Sequence, residues 1–128
     1  MIDSNVALPS CGAADGFMHF GDEELVAPPL MWSEFRSSLH EALWRGEVAE
    51  DDARSTLERL SQSPIRERTH RRLGDEAWQI ADELGWAKTY DAEYVALARL
   101  LRCRLVTLDG RLLRGAARLG FVIGPAEL

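Results

Sequence analysis

The spacing of apolar and polar residues along the chain predicts helices and short strands in alternation. Five longer segments carry apolar residues at intervals of three and four, the spacing of a helix with a buried face. These predicted helices span Leu30 to Trp44, Ala49 to Leu60, Leu73 to Leu84, Tyr90 to Arg102 and Arg111 to Leu119. Five shorter apolar runs predict buried strands. They span Ile2 to Leu8, Leu25 to Ala27, Ile65 to Thr69, Leu105 to Leu108 and Phe121 to Ile123.

This alternation of strands and helices predicts an α/β fold. Its usual form is a central, mostly parallel sheet with helices on both faces. The 128 residues have the size of one domain, so we predict a single domain over residues 1–128. In open parallel sheets, sites form beyond the carboxyl ends of the strands. Polar residues that follow strands are therefore the first candidates for a functional site.

Charge is unevenly distributed along the chain. The net charge is −6, whereas a general nucleic-acid binder is basic overall. Residues 1–52 contain eleven acidic and two basic residues, while residues 53–128 contain ten acidic and thirteen basic residues. This bias is typical of an ordinary solvated surface, but it also suits an acidic centre with basic flanks. Charge alone leaves both interpretations open.

Cysteine content and hydropathy indicate a cytoplasmic protein. Cys11 and Cys103 match no metal-ligand spacing and are expected to be free thiols. The first residues lack the basic start of a signal peptide, and no apolar run approaches the roughly 20 residues of a membrane span. We therefore expect no membrane segment.

Four acidic residues lie where a carboxylate is unusual or well placed for a site. Asp3 lies within the first apolar run, where a buried charge is costly unless it is paired or bound to a metal. Asp109 directly follows the run Leu105 to Leu108. Asp91 lies in the first turn of a predicted buried helix, whose dipole favours its charge. Glu34 lies in an apolar helix.

Each acid also has a purely structural explanation. Asp3 could cap a turn, and Asp109 with Gly110 is a common turn pair. Asp91 could merely begin its helix, and Glu34 could face solvent. Together they suggest a site, because each marks an end of an apolar element and converging carboxylates supply the oxygen ligands that Mg²⁺ and Mn²⁺ prefer. The three histidines form no zinc motif.

Four sequence motifs in a fixed order connect the chain to a known family. The first is the apolar run Ile2 to Leu8 with its aspartate, and the second is Leu25 to Pro29, which leads into the helix carrying Glu34. The third, Thr89 to Ala98, contains the pattern Y-D-A-x-Y-x-A-L-A. The fourth, Leu105 to Asp109, ends in T-x-D. The chain thereby resembles the PIN-domain family, and specifically its VapC-type toxins from bacterial toxin–antitoxin pairs, over nearly its whole length.

The resemblance implies a PIN-like α/β/α sandwich that is a divalent-metal-dependent endoribonuclease, the toxin of a type II toxin–antitoxin pair. Its substrate would be RNA and its cofactor Mg²⁺ or Mn²⁺. The family's four catalytic and metal-binding acids fall on Asp3, Glu34, Asp91 and Asp109. Neighbouring polar positions that orient the acids or water fall on Ser4, Asn5 and Thr107. The resemblance also implies a homodimer and a cognate VapB-type antitoxin, whose tail enters the acidic groove.

Two features depart from the family pattern. Residues 9–24 are interrupted by a proline and two glycines where the family usually has its first helix, which predicts an altered groove wall and altered antitoxin contacts. Ser37 stands where an asparagine is common, three residues after the glutamate, which predicts a looser surround for Glu34.

Six arginines near the carboxyl terminus are candidates for offsetting the repulsion between the acids and an RNA backbone. They are Arg99, Arg102, Arg104, Arg111, Arg114 and Arg118. A solvated arginine-rich surface is the alternative for each of them.

The sequence lacks the motifs of two other protein classes, one enzymatic and one in signalling. A haloacid-dehalogenase-like phosphotransferase needs D-x-D after its first strand, and Asp3-Ser4-Asn5 lacks the second aspartate. A phosphoacceptor receiver domain needs a lysine after a late strand, and the single lysine, Lys88, precedes the Tyr90 helix. A PIN-like module that binds a partner with little or no nuclease activity remains the alternative, although the presence of all four acids weighs against it.

Overall fold

The computed structural model describes residues 1–128 and contains six helices and four short strands. The helices are α1 (Ser4–Gly12), α2 (Leu30–Trp44), α3 (Glu50–Ser61), α4 (Leu73–Leu84), α5 (Tyr90–Leu101) and α6 (Gly110–Ala116). The strands are β1 (Val26–Ala27), β2 (Arg66–Glu67), β3 (Leu105–Val106) and β4 (Val122–Ile123). Three 3₁₀ turns lie at Met18–Phe20, Ala117–Leu119 and Pro125–Glu127.

The start of the chain joins two pairs of parallel strands into one sheet. Strand β1 pairs with β2, and β3 pairs with β4, both in parallel. Between the pairs, the Ile2 amide donates to the Val26 carbonyl at 3.1 Å, and the Val106 amide donates to the Met1 carbonyl at 2.8 Å. Ile2 forms a parallel bridge with Val106. The spatial order is therefore β2, β1, Ile2, β3, β4, which confirms the predicted α/β fold with a parallel sheet.

The prediction of a strand from Ile2 to Leu8 is wrong after its first residue. The Oδ1 atom of Asp3 accepts a hydrogen bond from the Val6 amide at 3.1 Å, so Asp3 caps a helix that begins at once. The apolar run reflects the buried face of this helix, on which Val6, Ala7 and Cys11 lie. The expectation that the first helix is missing is wrong for the same reason.

The other predicted elements are confirmed, with small differences at their ends. Helices α2 and α4 have the predicted boundaries. Helix α5 ends at Leu101, and the next residue, Arg102, adopts the left-handed conformation with φ of 56°. Strand β3 is two residues shorter than predicted because it ends at Val106, although the Thr107 amide still donates to the Ile123 carbonyl at 3.0 Å.

The buried apolar residues form one continuous cluster. Helix α5 is its most enclosed element, since Ala92 and the segment from Tyr94 to Ala98 are almost inaccessible to solvent. Helix α4 packs along α5, while α1 packs against α2 and α3. Every helix falls short of the length and apolar character needed to cross a membrane.

Candidate active site

Asp3 and Thr107 meet at the centre of the sheet edge. They directly follow Ile2 and Val106, the two residues that form the parallel bridge, so the pairing brings them side by side. Asp3 is only 2% exposed. Its Oδ1 atom accepts from the Val6 amide, and its Oδ2 atom accepts from the Thr107 hydroxyl. Both carboxylate oxygens of a buried acid are therefore satisfied and fixed in position.

Thr107 also connects Asp3 to Asp109. The Thr107 hydroxyl oxygen accepts from the Asp109 amide at 3.0 Å. Asp109 caps α6, because its Oδ1 atom accepts from the amides of Arg111 at 2.9 Å and Leu112 at 3.4 Å. The sequence suggested a turn at Asp109 and Gly110, whereas the structure shows that Asp109 caps α6, with its carboxylate beyond the end of β3.

Glu34 is held from the opposite side by Tyr94. The Tyr94 hydroxyl donates to the Oε1 atom of Glu34 at 2.5 Å, which joins α2 to α5. Tyr94 is only 1% exposed. The spacing of apolar residues along α5 predicted that Tyr94 is buried, but it did not predict that its hydroxyl bonds to an acid of the site. A signal was present in the sequence, because Tyr94 follows Asp91 by three residues and such residues share a helix face.

The polar residues predicted to support the acids lie in the first turn of α1 or directly after β3. Ser4 interacts with the Tyr94 hydroxyl and lowers its pKa, although burial and Glu34 raise that pKa more. Asn5 favours the charged form of Asp3 and lowers its pKa. Ser37 instead lines a cavity between α2 and α3. Tyr94, rather than residue 37, therefore fixes Glu34.

Asp3, Glu34 and Asp91 have raised pKa values, and besides burial the charge of a second acid of the set contributes to each. Burial is the main cause for Asp3, whose pKa is raised to about 6, and the charge of Asp109 adds to the effect. The pKa of Asp91 is raised by burial and by Asp109, against a lowering by Arg111. The pKa of Glu34 is raised by burial, lowered by the Tyr94 hydrogen bond and raised by Asp91. Three electrostatic pairs thus connect the four acids.

The residue types fit a hard divalent cation, although their positions do not by themselves form a finished ligand set. No three His, Cys, Asp or Glu side chains are arranged as metal ligands. The donor set nevertheless consists of carboxylate oxygens, which Mg²⁺ and Mn²⁺ prefer. A cation would also relieve the mutual repulsion that raises the pKa values of Asp3 and Asp91.

Two of the six arginines proposed to flank the site pair with acids elsewhere. Arg99 pairs with Glu76 at 2.7 Å and with Glu83 at 3.3 Å, which ties α5 to α4. Arg104 pairs with Glu23 at 3.7 Å. The hypothesis of an arginine-lined site is therefore wrong for these residues. Arg111 does lie at the site, with its Nε atom 3.8 Å from Oδ1 of Asp109.

One family profile and several curated proteins match the sequence. The sequence profile described as "PIN domain" matches residues 1–118. A VapC ribonuclease of Mycobacterium bovis and ribonuclease VapC9 of Mycobacterium tuberculosis are each 36% identical over 90 residues, which cover 70% of this chain and 68% of the relative. Ribonuclease VapC1 of Mycobacterium tuberculosis is 36% identical over 87 residues, which cover 67% of this chain and 63% of the relative.

A solved structure extends the agreement to the fold. The crystal structure of PAE2754 from Pyrobaculum aerophilum superimposes with a TM-score of 0.74, covering 98% of this chain and 88% of that chain. Its sequence identity is 23%, so this match concerns the fold alone. The profile match and the identity to curated relatives concern the sequence itself, and they agree with the order of the four motifs. The chain therefore belongs to the PIN-domain family, and its curated relatives in that family are VapC ribonucleases.

Proposed function

We propose that the chain is a divalent-metal-dependent endoribonuclease, the toxin of a type II toxin–antitoxin pair, acting as one domain over residues 1–128. The observation that carries the proposal is the arrangement beyond the sheet edge in which Thr107 fixes Asp3 and Asp109, and Tyr94 fixes Glu34. Asp91 lies in the first turn of the helix that carries Tyr94. Grouping carboxylates costs free energy, and acids with shifted pKa values are typical of functional sites such as that of a nuclease. The relatives named VapC ribonucleases support the same activity.

In this proposal the four carboxylates hold Mg²⁺ or Mn²⁺ and the remaining residues position them. When bound, a divalent cation supplies activation of a water nucleophile and neutralises charge that develops on the phosphate. Thr107 fixes Asp3 and the backbone that carries Asp109, and Tyr94 fixes Glu34. These hydrogen bonds reduce the reorganisation that the acids need during the reaction.

The charge of the acids also creates a problem for the substrate. An RNA backbone is repelled by a cluster of carboxylates, and basic residues beside the cluster offset this repulsion. Arg111 is suitably placed, because it lies at the start of α6 next to Asp109 and is largely exposed. The guanidinium of Arg114 lies against Gly110, the residue that directly follows Asp109. Both cations belong to the same edge of the molecule as the acids.

An antitoxin of the VapB type would bind the groove between α2 and α3. This cavity of about 470 Å³ is walled by Leu39, Leu43, Ala53 and Leu57. It begins one helical turn after Glu34 on α2, so a single segment can fill the groove and reach the acids. An apolar segment followed by a basic residue has the matching chemistry.

The homodimer and the cytoplasmic location belong to the same proposal. Trp78 on α4 is 68% exposed, which is unusual for so large an apolar side chain and suits a surface that pairs with a second copy. An RNA-cleaving toxin would act where its RNA and its antitoxin are present, in the cytoplasm. Sedimentation of the purified chain measures the oligomeric state directly.

The decisive experiment is cleavage of RNA by the purified chain with Mg²⁺ and with a chelator. We expect internal cleavage that needs the metal and disappears in the Asp91→Asn variant. Sequencing the RNA ends produced after induced expression would then identify the substrate. A protein that binds its antitoxin but leaves RNA intact under all metal conditions would instead favour a partner-binding PIN module.

A further inference from the structure

A second pocket adjoins the acidic site, and its residues have a different chemistry. The pocket measures about 300 Å³ and lies between the segment that precedes α5 and the start of α6. Its lining consists of Trp86, Lys88, Tyr90, Asp91, Arg111 and Leu112. We call it the flanking pocket. Asp91 is the only member that also belongs to the acidic site, so it forms the border between the two.

Two aromatic side chains line the flanking pocket. Tyr90 is 56% exposed, which leaves its ring open to a ligand. Trp86 is partly buried, and its indole packs against the backbone of α6 at Gly115. A Cβ atom at residue 115 would lie 3.1 Å from Cζ2 of Trp86, so the glycine makes room for the indole. One aromatic residue is thus fixed and the other is accessible, as a platform for a flat ligand requires.

Two cations accompany the aromatic rings. Lys88 is the only lysine of the chain, and it takes part in none of its salt bridges. Arg111 is 87% exposed and reaches Asp109 only at 3.8 Å. Lys88 therefore presents a positive charge that no salt bridge neutralises, and the largely exposed Arg111 adds a second cation, whose charge also acts on Asp91 and Asp109.

We propose that the flanking pocket is a nucleotide subsite that positions RNA beside the acidic site. A base of the RNA contacts Trp86 and Tyr90, while an adjacent phosphate contacts Lys88 and Arg111. Aromatic faces accept any base by stacking, and the cations attract the backbone. This inference rests on the proposed nuclease function. It adds a substrate-positioning role for Trp86, Tyr90 and Lys88, which lie outside the acidic group.

The charge of the pocket favours RNA over the antitoxin as its occupant. A segment that inserts into the acidic groove carries a basic residue, which Lys88 and Arg111 would repel. A nucleotide carries the opposite charge. A peptide would also need acceptors for its backbone N–H groups. Four of the six lining side chains have no acceptor atom, namely those of Trp86, Lys88, Arg111 and Leu112.

The test uses binding without cleavage, so that it does not depend on catalysis. The probe is a short 2′-O-methyl oligoribonucleotide, which resists cleavage, added in the presence of a chelator. Because Lys88 is the only lysine, ¹⁵N-lysine labelling gives one backbone signal in the pocket. We expect the oligoribonucleotide to shift this signal at a lower concentration than inorganic phosphate does. Binding of the oligoribonucleotide without any shift of the Lys88 signal would overturn the proposal.

Variants then identify the contacting side chains. Tyr90→Leu and Lys88→Gln should each raise the Kd for the oligoribonucleotide by about five- to tenfold, within the range found for single stacking contacts. The matched controls are Trp44→Leu and Arg71→Gln, an exposed aromatic and an exposed cation outside the pocket, whose Kd should stay unchanged. Unchanged binding in both pocket variants, or weakened antitoxin binding with unchanged RNA binding, would overturn the subsite.

Cleavage assays separate this inference from the proposed function. If the chain cleaves RNA, the pocket variants should raise KM more than they lower kcat, because the acids remain in place. Cleavage with wild-type KM in Tyr90→Leu and Lys88→Gln would refute the subsite and leave the nuclease standing. Absence of cleavage in the wild type, together with oligoribonucleotide binding at Lys88, would refute the nuclease and retain the subsite.

Discussion

Thr107 and Asp3 are joined by a hydrogen bond although 104 residues separate them in the sequence. The bond exists because Ile2 and Val106 pair in parallel, so the residues after them leave the sheet side by side. Thr107 has no exposed surface, and its hydroxyl both donates to Asp3 and accepts from Asp109. One buried hydroxyl therefore holds two of the four acids.

Replacing Thr107 with valine should weaken both fold and activity. Valine has the shape of threonine but leaves the Oδ2 atom of Asp3 without its donor, and an unsatisfied buried acceptor costs about 1–3 kcal/mol. We expect a lower denaturation midpoint and slower RNA cleavage. Thr107→Ser keeps the hydroxyl and should retain more of both. A larger loss in the serine variant than in the valine variant would mean that the methyl group, not the hydroxyl, is the important part.

Asp3 should make the stability of the metal-free protein depend on pH. Its pKa is raised from 3.8 to about 6 in the folded chain, so the folded state holds this proton more tightly than the unfolded state. The contribution of Asp3 to the free energy of unfolding is therefore largest below pH 4 and is lost as the pH rises to about 6. The loss is roughly 3 kcal/mol if the whole shift is expressed. Denaturation midpoints measured from pH 4 to pH 7 test this.

The control for the pH dependence is Asp3→Asn, which stays neutral throughout. Its stability relative to the wild type should increase as the pH rises from 4 to 6, since only the wild type acquires the buried charge. A constant difference between the two proteins over this range would show that Asp3 titrates at its ordinary pKa. The asparagine variant should also lose RNA cleavage at every pH.

Removing the Tyr94 hydroxyl should reduce activity with a smaller effect on stability. Tyr94→Phe keeps the ring that fills the core but takes away the hydrogen bond to Glu34. Glu34 is only half-buried and can be solvated instead, so we expect a loss of about 1 kcal/mol. The cleavage rate should fall at least tenfold if Glu34 must be held in place. Wild-type activity in this variant would mean that Glu34 needs no orientation.

The helices could be predicted well because their boundaries depend on local features. The apolar residues of α2 and α4 recur at helical spacing, and Gly85, which ends α4, adopts the left-handed conformation. Asp3 is the opposite case. The run from Ile2 to Leu8 is apolar in either a strand or a helix, and the cap that Asp3 forms with Val6 decides between them. Periodicity over so short a run cannot distinguish the two.

The four acids could be identified from motifs and strand ends, but their partners could not. Spacing indicates that Tyr94 is buried, yet its hydroxyl bonds to Glu34, 60 residues earlier and on another helix. Similarly, Arg99 lies close to the acidic motif in sequence but pairs with Glu76 and Glu83 on α4. Contacts between distant segments depend on how helices pack, which a single sequence does not specify.

Antitoxin binding and RNA cleavage should be separable by a change in the groove between α2 and α3. Leu57 is 40% exposed at the groove wall, so Leu57→Glu places a charge there with little effect on the core. We expect the variant to lose its complex with the antitoxin encoded beside it while keeping its cleavage rate. Co-purification and a cleavage assay on the same preparation measure both. Leu57→Met should retain the complex, and survival of the complex in the glutamate variant would move the antitoxin to another surface.

Metal binding should stabilise the wild-type protein, and Asp91→Asn should reduce this effect. The four acids repel one another in the absence of a cation, so Mg²⁺ or Mn²⁺ should raise the Tm. At about 100 times its Kd, the metal would add about 2.7 kcal/mol to the free energy of unfolding. Asp91 is exposed in the first turn of α5, so asparagine at this position should leave the metal-free Tm nearly unchanged. The variant should show a smaller metal-induced shift and no metal-dependent RNA cleavage.

Asp82→Asn, an exposed acid near the end of α4, is the matched control and should behave as the wild type. A full Tm shift and full cleavage in Asp91→Asn would remove this residue from the site, and calorimetry without binding at millimolar metal would contradict the metal site as a whole.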